Sequence, residues 1–97
     1  MTADIIDGRT YAERVRACVA RDVASLRIEH GVQPALAVVL VGEDPASQVY
    51  VRSQGEHSLA AGMQSVTCRL PSSVLQRDLL ALIAALNDDS LVHGILV

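Results

Sequence analysis

The segment ALAVVLV, residues 35–41, is an uninterrupted run of seven apolar residues, and it indicates where the centre of the fold lies. Pro34 and Gly42 bound this run, which is rich in Val. Because every residue is apolar, the run is typical of a strand that is covered on both faces. A helix that spans a membrane needs about twenty apolar residues, so the run is too short for one. We therefore predict the central strand of a sheet.

The segment that follows this strand has the signals of a helix start. In the loop GEDP, residues 42–45, Asp44 has a capping position and Pro45 has the first helical position, where its missing N–H costs nothing. These signals predict a helix from Pro45 to about Ala61, with Gly62 ending it.

An earlier helix precedes the strand. Thr10 and Glu13 have the spacing of a reciprocal capping box, and Gly31 is a natural stop. Apolar residues recur in between at steps of three and four, and arginines alternate with them. The predicted buried stripe is Val15, Val19, Val23 and Leu26, and the predicted solvent-exposed face carries Arg14, Arg16, Arg21 and Arg27.

Strand and helix signals continue to alternate downstream. Residues 65–70 alternate with the period of a strand, which Pro71 ends. Ser73 and Gln76 have the spacing of a capping box for a third helix, which ends near Asn87. Residues 94–97 open a third strand. The order helix, strand, helix, strand, helix, strand predicts one α/β domain, with three α-β-α layers, a mainly parallel sheet and right-handed crossovers.

Composition narrows the classes of function. The formal net charge is -3 and all the basic residues are Arg, so we expect neither nucleic acid nor a membrane as partner. Cys18 and Cys68 lack the spacing of a redox or metal motif, which indicates reduced thiols and a cytoplasmic location. Residues 95–97 have the pattern of the first half of a buried strand, so we expect the chain to be a fragment.

Generic site motifs give little. The loop of residues 42–45 is neither a P-loop nor a dinucleotide fingerprint, and Glu43 and Asp44 would repel a phosphate. His30, His57 and His93 lie far apart in sequence, without paired carboxylates or thiolates, so we expect no metal site.

One arrangement on the second helix could bind a ligand. Tyr50, Ser53, Gln54 and His57 fall at i, i+3, i+4 and i+7, so a phenol, a hydroxyl, an amide and an imidazole share one stripe near the carboxyl end of the sheet. This stripe is either the wall of a ligand site or a polar helix face with Tyr50 partly packed. Periodicity does not decide between the two.

Four stretches resemble, in order, the bifunctional methylenetetrahydrofolate dehydrogenase/cyclohydrolase family. They are IIDG at 5–8, LAVVLVG at 36–42, DPASQVYVRS at 44–53, and the segment 79–97, whose final GILV is similar to a family signature that continues into Gln-Leu-Pro. The resemblance covers essentially the whole chain, and DPASQVYVRS is its most specific part. It implies that residues 1–97 are the folate-binding catalytic domain, incomplete and without the NADP-binding domain.

By this resemblance, the full-length enzyme oxidises 5,10-methylenetetrahydrofolate to 5,10-methenyltetrahydrofolate with NADP and hydrolyses the product to 10-formyltetrahydrofolate. These steps belong to one-carbon metabolism and purine biosynthesis. The resemblance implies that Tyr50 and Gln54 occupy the catalytic positions. Tyr50 would stack on the folate rings, Ser53 would lie at the rim of the pocket, and both would bind substrate together with Gln54. NADP would be bound by the C-terminal domain and by none of the residues present here. Tetrahydrofolate derivatives are the implied ligands, and we expect a full-length homodimer.

Position 54 departs from the family pattern, which places a catalytic lysine there. Gln54 has no titratable proton, so it can orient water or substrate but cannot act as general acid or base. The chain contains no lysine that could replace it. We therefore expect the dehydrogenase step to persist in the full-length protein, the hydrolysis to fall towards its spontaneous rate, and the fragment alone to be inactive.

Two other functions remain open from the sequence. One is a non-catalytic folate-binding or regulatory paralogue, in which the lysine was lost because turnover no longer mattered. The other is a structural or interaction domain that binds no folate, since a fold alone does not dictate function.

Overall fold

The computed structural model describes residues 2–97, which form an α/β domain with a three-stranded parallel sheet. The elements are α1 (Gly8–His30), β1 (Ala35–Val41), α2 (Pro45–Ala60), β2 (Gln64–Leu70), α3 (Gln76–Asp88) and β3 (Gly94–Leu96). The strand order is β2-β1-β3. The predicted alternation, with residues 35–41 as the central strand, is confirmed.

The central strand β1 is paired along both edges. Its partners run from Ala35 with Gln64 to Val41 with Leu70 on one side, and from Leu36 with Gly94 to Val38 with Leu96 on the other. The four consecutive residues 37–40 are all buried. Because neighbouring residues of a strand point to opposite faces, both faces of β1 are covered, as the unbroken apolar run predicts.

The helices α2 and α3 lie on opposite faces of the sheet. On one face, Val51 of α2 packs against Val38 and Leu40 of β1. The connection through α2 leads from β1 to β2, and the connection through α3 leads back across β1 to β3. Right-handed crossovers that run in opposite directions place their helices on opposite faces. This arrangement gives the predicted three layers.

The ends of α2 follow the predicted signals. The Asp44 carboxylate accepts hydrogen bonds from the backbone N–H groups of Ala46 at 2.9 Å and Ser47 at 3.2 Å, and Pro45 opens the helix. The helix closes at Ala61, and Gly62 then turns the chain at φ 87°. Both predicted boundaries are confirmed.

The starts of the other two helices differ from the predicted capping boxes. Asp7 caps α1 in place of Thr10: its carboxylate accepts from the backbone N–H groups of Arg9 and Thr10, and from the Thr10 hydroxyl at 2.7 Å. Thr10 therefore lies inside the first turn, because Asp7 is extended and reaches the free amides first. Helix α3 begins after Leu75 and has no side-chain cap, so the Ser73 box is wrong.

The apolar stripe of α1 is only partly covered. Val23 is buried and Val19 is half-buried, as predicted, whereas Val15 is 44% exposed and Leu26 is 39% exposed. The contact of α1 with the domain is close near Val23, where a Cβ added to Gly62 would lie 3.2 Å from Val23 Cγ1. Periodicity identifies the apolar face of a helix, but it does not say how much of that face a neighbour covers.

His93 extends the pairing of β1 and β3 by one residue. Its backbone N–H donates to the Ala35 carbonyl oxygen at 2.9 Å, and its Nδ1 accepts from the Ala35 N–H at 3.0 Å. His93 thus joins the two strands at the end of the sheet where β1 begins. Among the helices in residues 2–97, none has the length and hydropathy needed to cross a membrane.

Candidate functional site

The predicted stripe on α2 lines a single concavity between α1 and α2. Tyr50, Ser53, Gln54 and His57 all contribute to this concavity, whose volume is about 370 Å³. The other lining residues are Arg16 and Val19 from α1, Ser58 from the last turn of α2, and Ala61 and Met63 from the connection between α2 and β2. We call this concavity the α1–α2 cavity. The structure therefore brings the four predicted side chains together.

Tyr50 lies at the junction of two concavities. Besides the α1–α2 cavity, it lines a second one of about 330 Å³, formed by β1, the N-terminal turns of α2 and the end of β3. Its side chain is 60% exposed and therefore is not packed into the core. A tyrosine ring with a free face can stack on a flat ligand ring.

The Gln54 amide is fixed by a neighbour on its own helix. Gln54 Nε2 donates to Ser58 Oγ at 3.0 Å, and Ser58 Oγ donates to the backbone carbonyl oxygen of Gln54 at 2.8 Å. Gln54 Oε1 is buried and accepts no hydrogen bond from any of residues 2–97. A buried acceptor without a partner costs about 1–3 kcal/mol. Because this oxygen is shielded from solvent, a ligand or water can donate to it only when the Gln54 amide turns towards the cavity.

Arg16 also lines the cavity, although the sequence pattern predicted it on the solvent-exposed face of α1. The structure places it half-buried in the wall opposite α2. Its position carries a signal that could have been used, because Arg16 precedes Val19 by three and Val23 by seven, and residues at these spacings share a helix face. Within the described residues Arg16 forms no ion pair.

The lining of the α1–α2 cavity is free of acidic side chains. Arg16 carries a permanent positive charge there, and His57 adds an imidazole to the lining. The chain as a whole has a net charge of -3, so this wall differs in sign from the average surface. The cavity therefore combines an exposed aromatic ring, a buried acceptor and a cation.

The residues present do not fit a dinucleotide cofactor. The first free amides of α2, which could bind a phosphate, are already used by the Asp44 carboxylate, and Glu43 beside it is exposed. Two carboxylates at this helix start repel a pyrophosphate group. Across residues 2–97, no three His, Cys, Asp or Glu side chains come close enough to hold a metal ion.

Residues 6–97 match the family model described as tetrahydrofolate dehydrogenase/cyclohydrolase, catalytic domain. A bifunctional protein FolD of Phenylobacterium zucineum is 67% identical over the whole chain, and one of Caulobacter vibrioides is 59% identical over 98% of it. These alignments cover 33% and 32% of the two relatives. The chain thus spans about a third of the length of the curated relatives that it matches.

Solved structures agree with the sequence relatives. The FolD of Trypanosoma brucei, determined as a complex with NADP cofactor and inhibitor, superposes with a TM-score of 0.92 at 31% identity, over 99% of this chain and 33% of that protein. The bifunctional FolD enzyme of Campylobacter jejuni superposes with a TM-score of 0.89 at 38% identity, over 93% and 32%. With the family match over nearly its whole length, the chain belongs to the tetrahydrofolate dehydrogenase/cyclohydrolase family, as part of its catalytic domain.

Proposed function

We propose that this chain supplies the folate-binding wall of an enzyme of one-carbon metabolism. The enzyme would oxidise 5,10-methylenetetrahydrofolate with NADP and hydrolyse the methenyl product to 10-formyltetrahydrofolate. The observation that carries this proposal is the α1–α2 cavity, in which Tyr50, Ser53 and Gln54 meet in a member of this family. We further propose that the whole protein acts in the cytoplasm as a homodimer.

Tyr50 and Ser53 have binding roles in this proposal. The Tyr50 ring is exposed between two concavities, so it can stack on the pterin or the neighbouring ring of the folate. Ser53 lies one helical turn further along α2 with an exposed side chain, where its hydroxyl can bond a polar group at the rim. Both residues therefore act in this proposal by stacking and hydrogen bonding.

Gln54 limits the chemistry of the hydrolysis. Adding water to a methenyl group requires proton movement, and general acid-base assistance is typically worth about a hundred- to ten-thousand-fold in rate. When it turns towards the cavity, the Gln54 amide can accept a hydrogen bond through Oε1 and thereby orient a ligand or a water, but it has no proton to exchange. We therefore propose that hydrolysis proceeds near its spontaneous rate while the oxidation is retained.

The NADP of this reaction would be bound outside residues 2–97, because the start of α2 does not fit a pyrophosphate. The cofactor supplies hydride acceptance when it is bound, and these residues position the folate alone. On this proposal, the 97-residue chain by itself does not complete the oxidation.

A titration of the chain with folic acid, followed by amide chemical shifts in NMR, tests the proposed site. We expect weak binding, with shifts concentrated on α2 around Tyr50. Tyr50→Phe should retain the affinity, whereas Tyr50→Ala should weaken it about two- to tenfold, because an aromatic pair contributes about 0.5–1.5 kcal/mol. Tyr11→Ala, an exposed tyrosine outside the cavity, is the matched control. Equal affinity of the Tyr50→Ala chain and the unaltered chain would contradict the proposal.

A non-catalytic folate-binding protein is the second candidate, and Gln54 is the observation that favours it. A chimera that joins residues 1–97 to the remainder of the Phenylobacterium zucineum relative separates the two. NADP-dependent oxidation of methylenetetrahydrofolate by this chimera supports the enzyme, whereas folate binding without turnover supports the paralogue.

A further inference from the structure

We infer that Arg16 binds a carboxylate of the ligand, on the wall of the α1–α2 cavity that lies opposite Tyr50 and Gln54. This inference rests on the proposed function and adds to it the recognition of the folate's glutamate end. It assigns a binding role to α1, whereas the stripe recognised in the sequence lies entirely on α2.

The first observation is that Arg16 is half-buried without a counter-ion. No carboxylate among residues 2–97 pairs with it, although Glu13 lies three positions earlier on the same helix. The positions four before and four after Arg16 are Ala12 and Ala20, so Glu13 is the acidic residue within one helical turn of it, and the structure forms no ion pair between the two. A partly buried charge without a partner is unfavourable, and a bound anion relieves this cost.

The second observation is the charge of the cavity lining. Its members include Arg16 and His57 but no Asp or Glu, in a chain that carries more acidic than basic residues. The planar guanidinium group matches a carboxylate with two parallel hydrogen bonds, which a lysine ammonium cannot do. The lining therefore favours an anionic group on the ligand.

The third observation is the arrangement of the three chemical groups around one space. Tyr50 presents an aromatic face and Arg16 presents a cation from the other helix. Gln54 contributes an amide oxygen that has no donor among residues 2–97 and that a ligand reaches when the side chain turns. The cavity volume, about 370 Å³, falls within the range of about 300–1,000 Å³ that is usual for ligand sites. A ligand with a flat ring, an N–H donor and a carboxylate end satisfies all three groups, and a folate has this composition.

The test compares two ligands on the 97-residue chain by NMR titration: folic acid, and the neutral methyl amide of pteroic acid, which keeps both ring systems but lacks the glutamate. We expect Arg16→Gln to weaken folic acid about three- to tenfold and to leave the amide unchanged, because the lost interaction is a charge-assisted hydrogen bond. Arg16→Lys should recover part of the affinity. Arg21→Gln, an exposed arginine of the same helix outside the cavity, should change neither ligand.

Added salt gives a second readout. Folic acid binding to the unaltered chain should weaken as ionic strength rises, and the Arg16→Gln chain should lose most of this dependence. Equal losses for both ligands, or no loss for folic acid, would overturn the role of Arg16 while leaving the Tyr50 site intact. Binding of neither ligand to the unaltered chain would overturn the proposed function itself, and the role of Arg16 with it.

Discussion

Ser58 and Gln54 are joined by two hydrogen bonds that form a closed unit on α2. The Ser58 hydroxyl accepts from the Gln54 side-chain amide at 3.0 Å and donates to the Gln54 backbone carbonyl oxygen at 2.8 Å. Ser58 is 4% exposed, and among residues 2–97 it is the only polar residue that is buried. The pair leaves Gln54 Oε1 without a donor, so Ser58, itself part of the cavity lining, determines how the Gln54 amide is oriented.

Removing the Ser58 hydroxyl should destabilise the domain. In Ser58→Ala, the half-buried Gln54 amide loses its acceptor, and a polar group left unpaired costs about 1–3 kcal/mol. Urea denaturation followed by circular dichroism measures the change in the free energy of unfolding. Ser53→Ala, on the exposed side of the same helix, is the control and should stay within about 0.5 kcal/mol of the unaltered chain. Equal stability of the two variants would show that the Ser58 pair contributes nothing.

Substitution of Gln54 by lysine should restore hydrolysis in the chimera with the Phenylobacterium zucineum relative. A lysine at this position supplies a proton donor and acceptor, so we expect the hydrolysis of methenyltetrahydrofolate to rise about a hundred- to ten-thousand-fold. Spectrophotometric assays should follow hydrolysis and NADP-dependent oxidation separately on each preparation.

Gln48→Lys is the matched control for this experiment, because Gln48 lies on α2 outside the α1–α2 cavity, and its side chain donates to the Glu43 carbonyl oxygen. This control should leave hydrolysis at the rate of the unaltered chimera. Hydrolysis that stays the same in Gln54→Lys argues against assigning the proton transfer to position 54.

Alanine should be tolerated less well at Gly62 than at Gly31. Both glycines have positive φ, 87° and 65°, so an alanine at either position is strained by about 1–2 kcal/mol. At Gly31 the added Cβ meets nothing within 4 Å, whereas at Gly62 it lies 3.2 Å from Val23 Cγ1. The difference between the two variants in chemical denaturation therefore measures the close approach of α1. Equal free energies of unfolding for Gly62→Ala and Gly31→Ala would show that α1 moves away from position 62 without loss of stability.

The pH dependence of α1 should report on Asp7. The Thr10 hydroxyl, followed by the backbone N–H groups of Thr10 and Arg9, lowers the pKa of Asp7 below its usual value. Since the pKa is lower in the folded chain, Asp7 stabilises the fold above its ordinary pKa, and this contribution is lost as the pH falls through the folded value. Thr10→Val should raise the pKa of Asp7 in an NMR titration, while Thr67→Val should leave it unchanged. No rise in Thr10→Val would contradict the hydrogen bond.

The parts of the fold that the sequence predicted are those with local causes. The apolar run of residues 35–41 is rich in Val and bounded by Pro34 and Gly42, and these local features favour a strand covered on both faces. Asp44 and Pro45 act within one helical turn, so the start of α2 follows from a few adjacent residues. The stripe from Tyr50 to His57 likewise depends only on the helical period, and the structure brings its members together in one cavity.

The parts that the sequence did not predict depend on neighbours far away in the chain. From the sequence, Arg16 is one more surface charge, and its place in the cavity follows only from the packing of α1 beside α2. The role of Ser58 likewise follows only from its hydrogen bond with Gln54. The error at Thr10 has a different cause. Two residues with capping side chains, Asp7 and Thr10, compete for the same free amides, and spacing alone does not rank them.

The position of β1 in the middle of a parallel sheet has a consequence for how the chain acquires its fold. Strand β1 precedes both of its partners, and its last connection, between Ala35 and His93, joins residues 58 positions apart. During synthesis, the most apolar strand therefore emerges first and waits for β2 and then for β3. Contacts of such long range make folding slow, and an unpaired apolar strand is prone to aggregation. The order of elements along this chain thus makes β1 the segment that most needs protection as the protein leaves the ribosome.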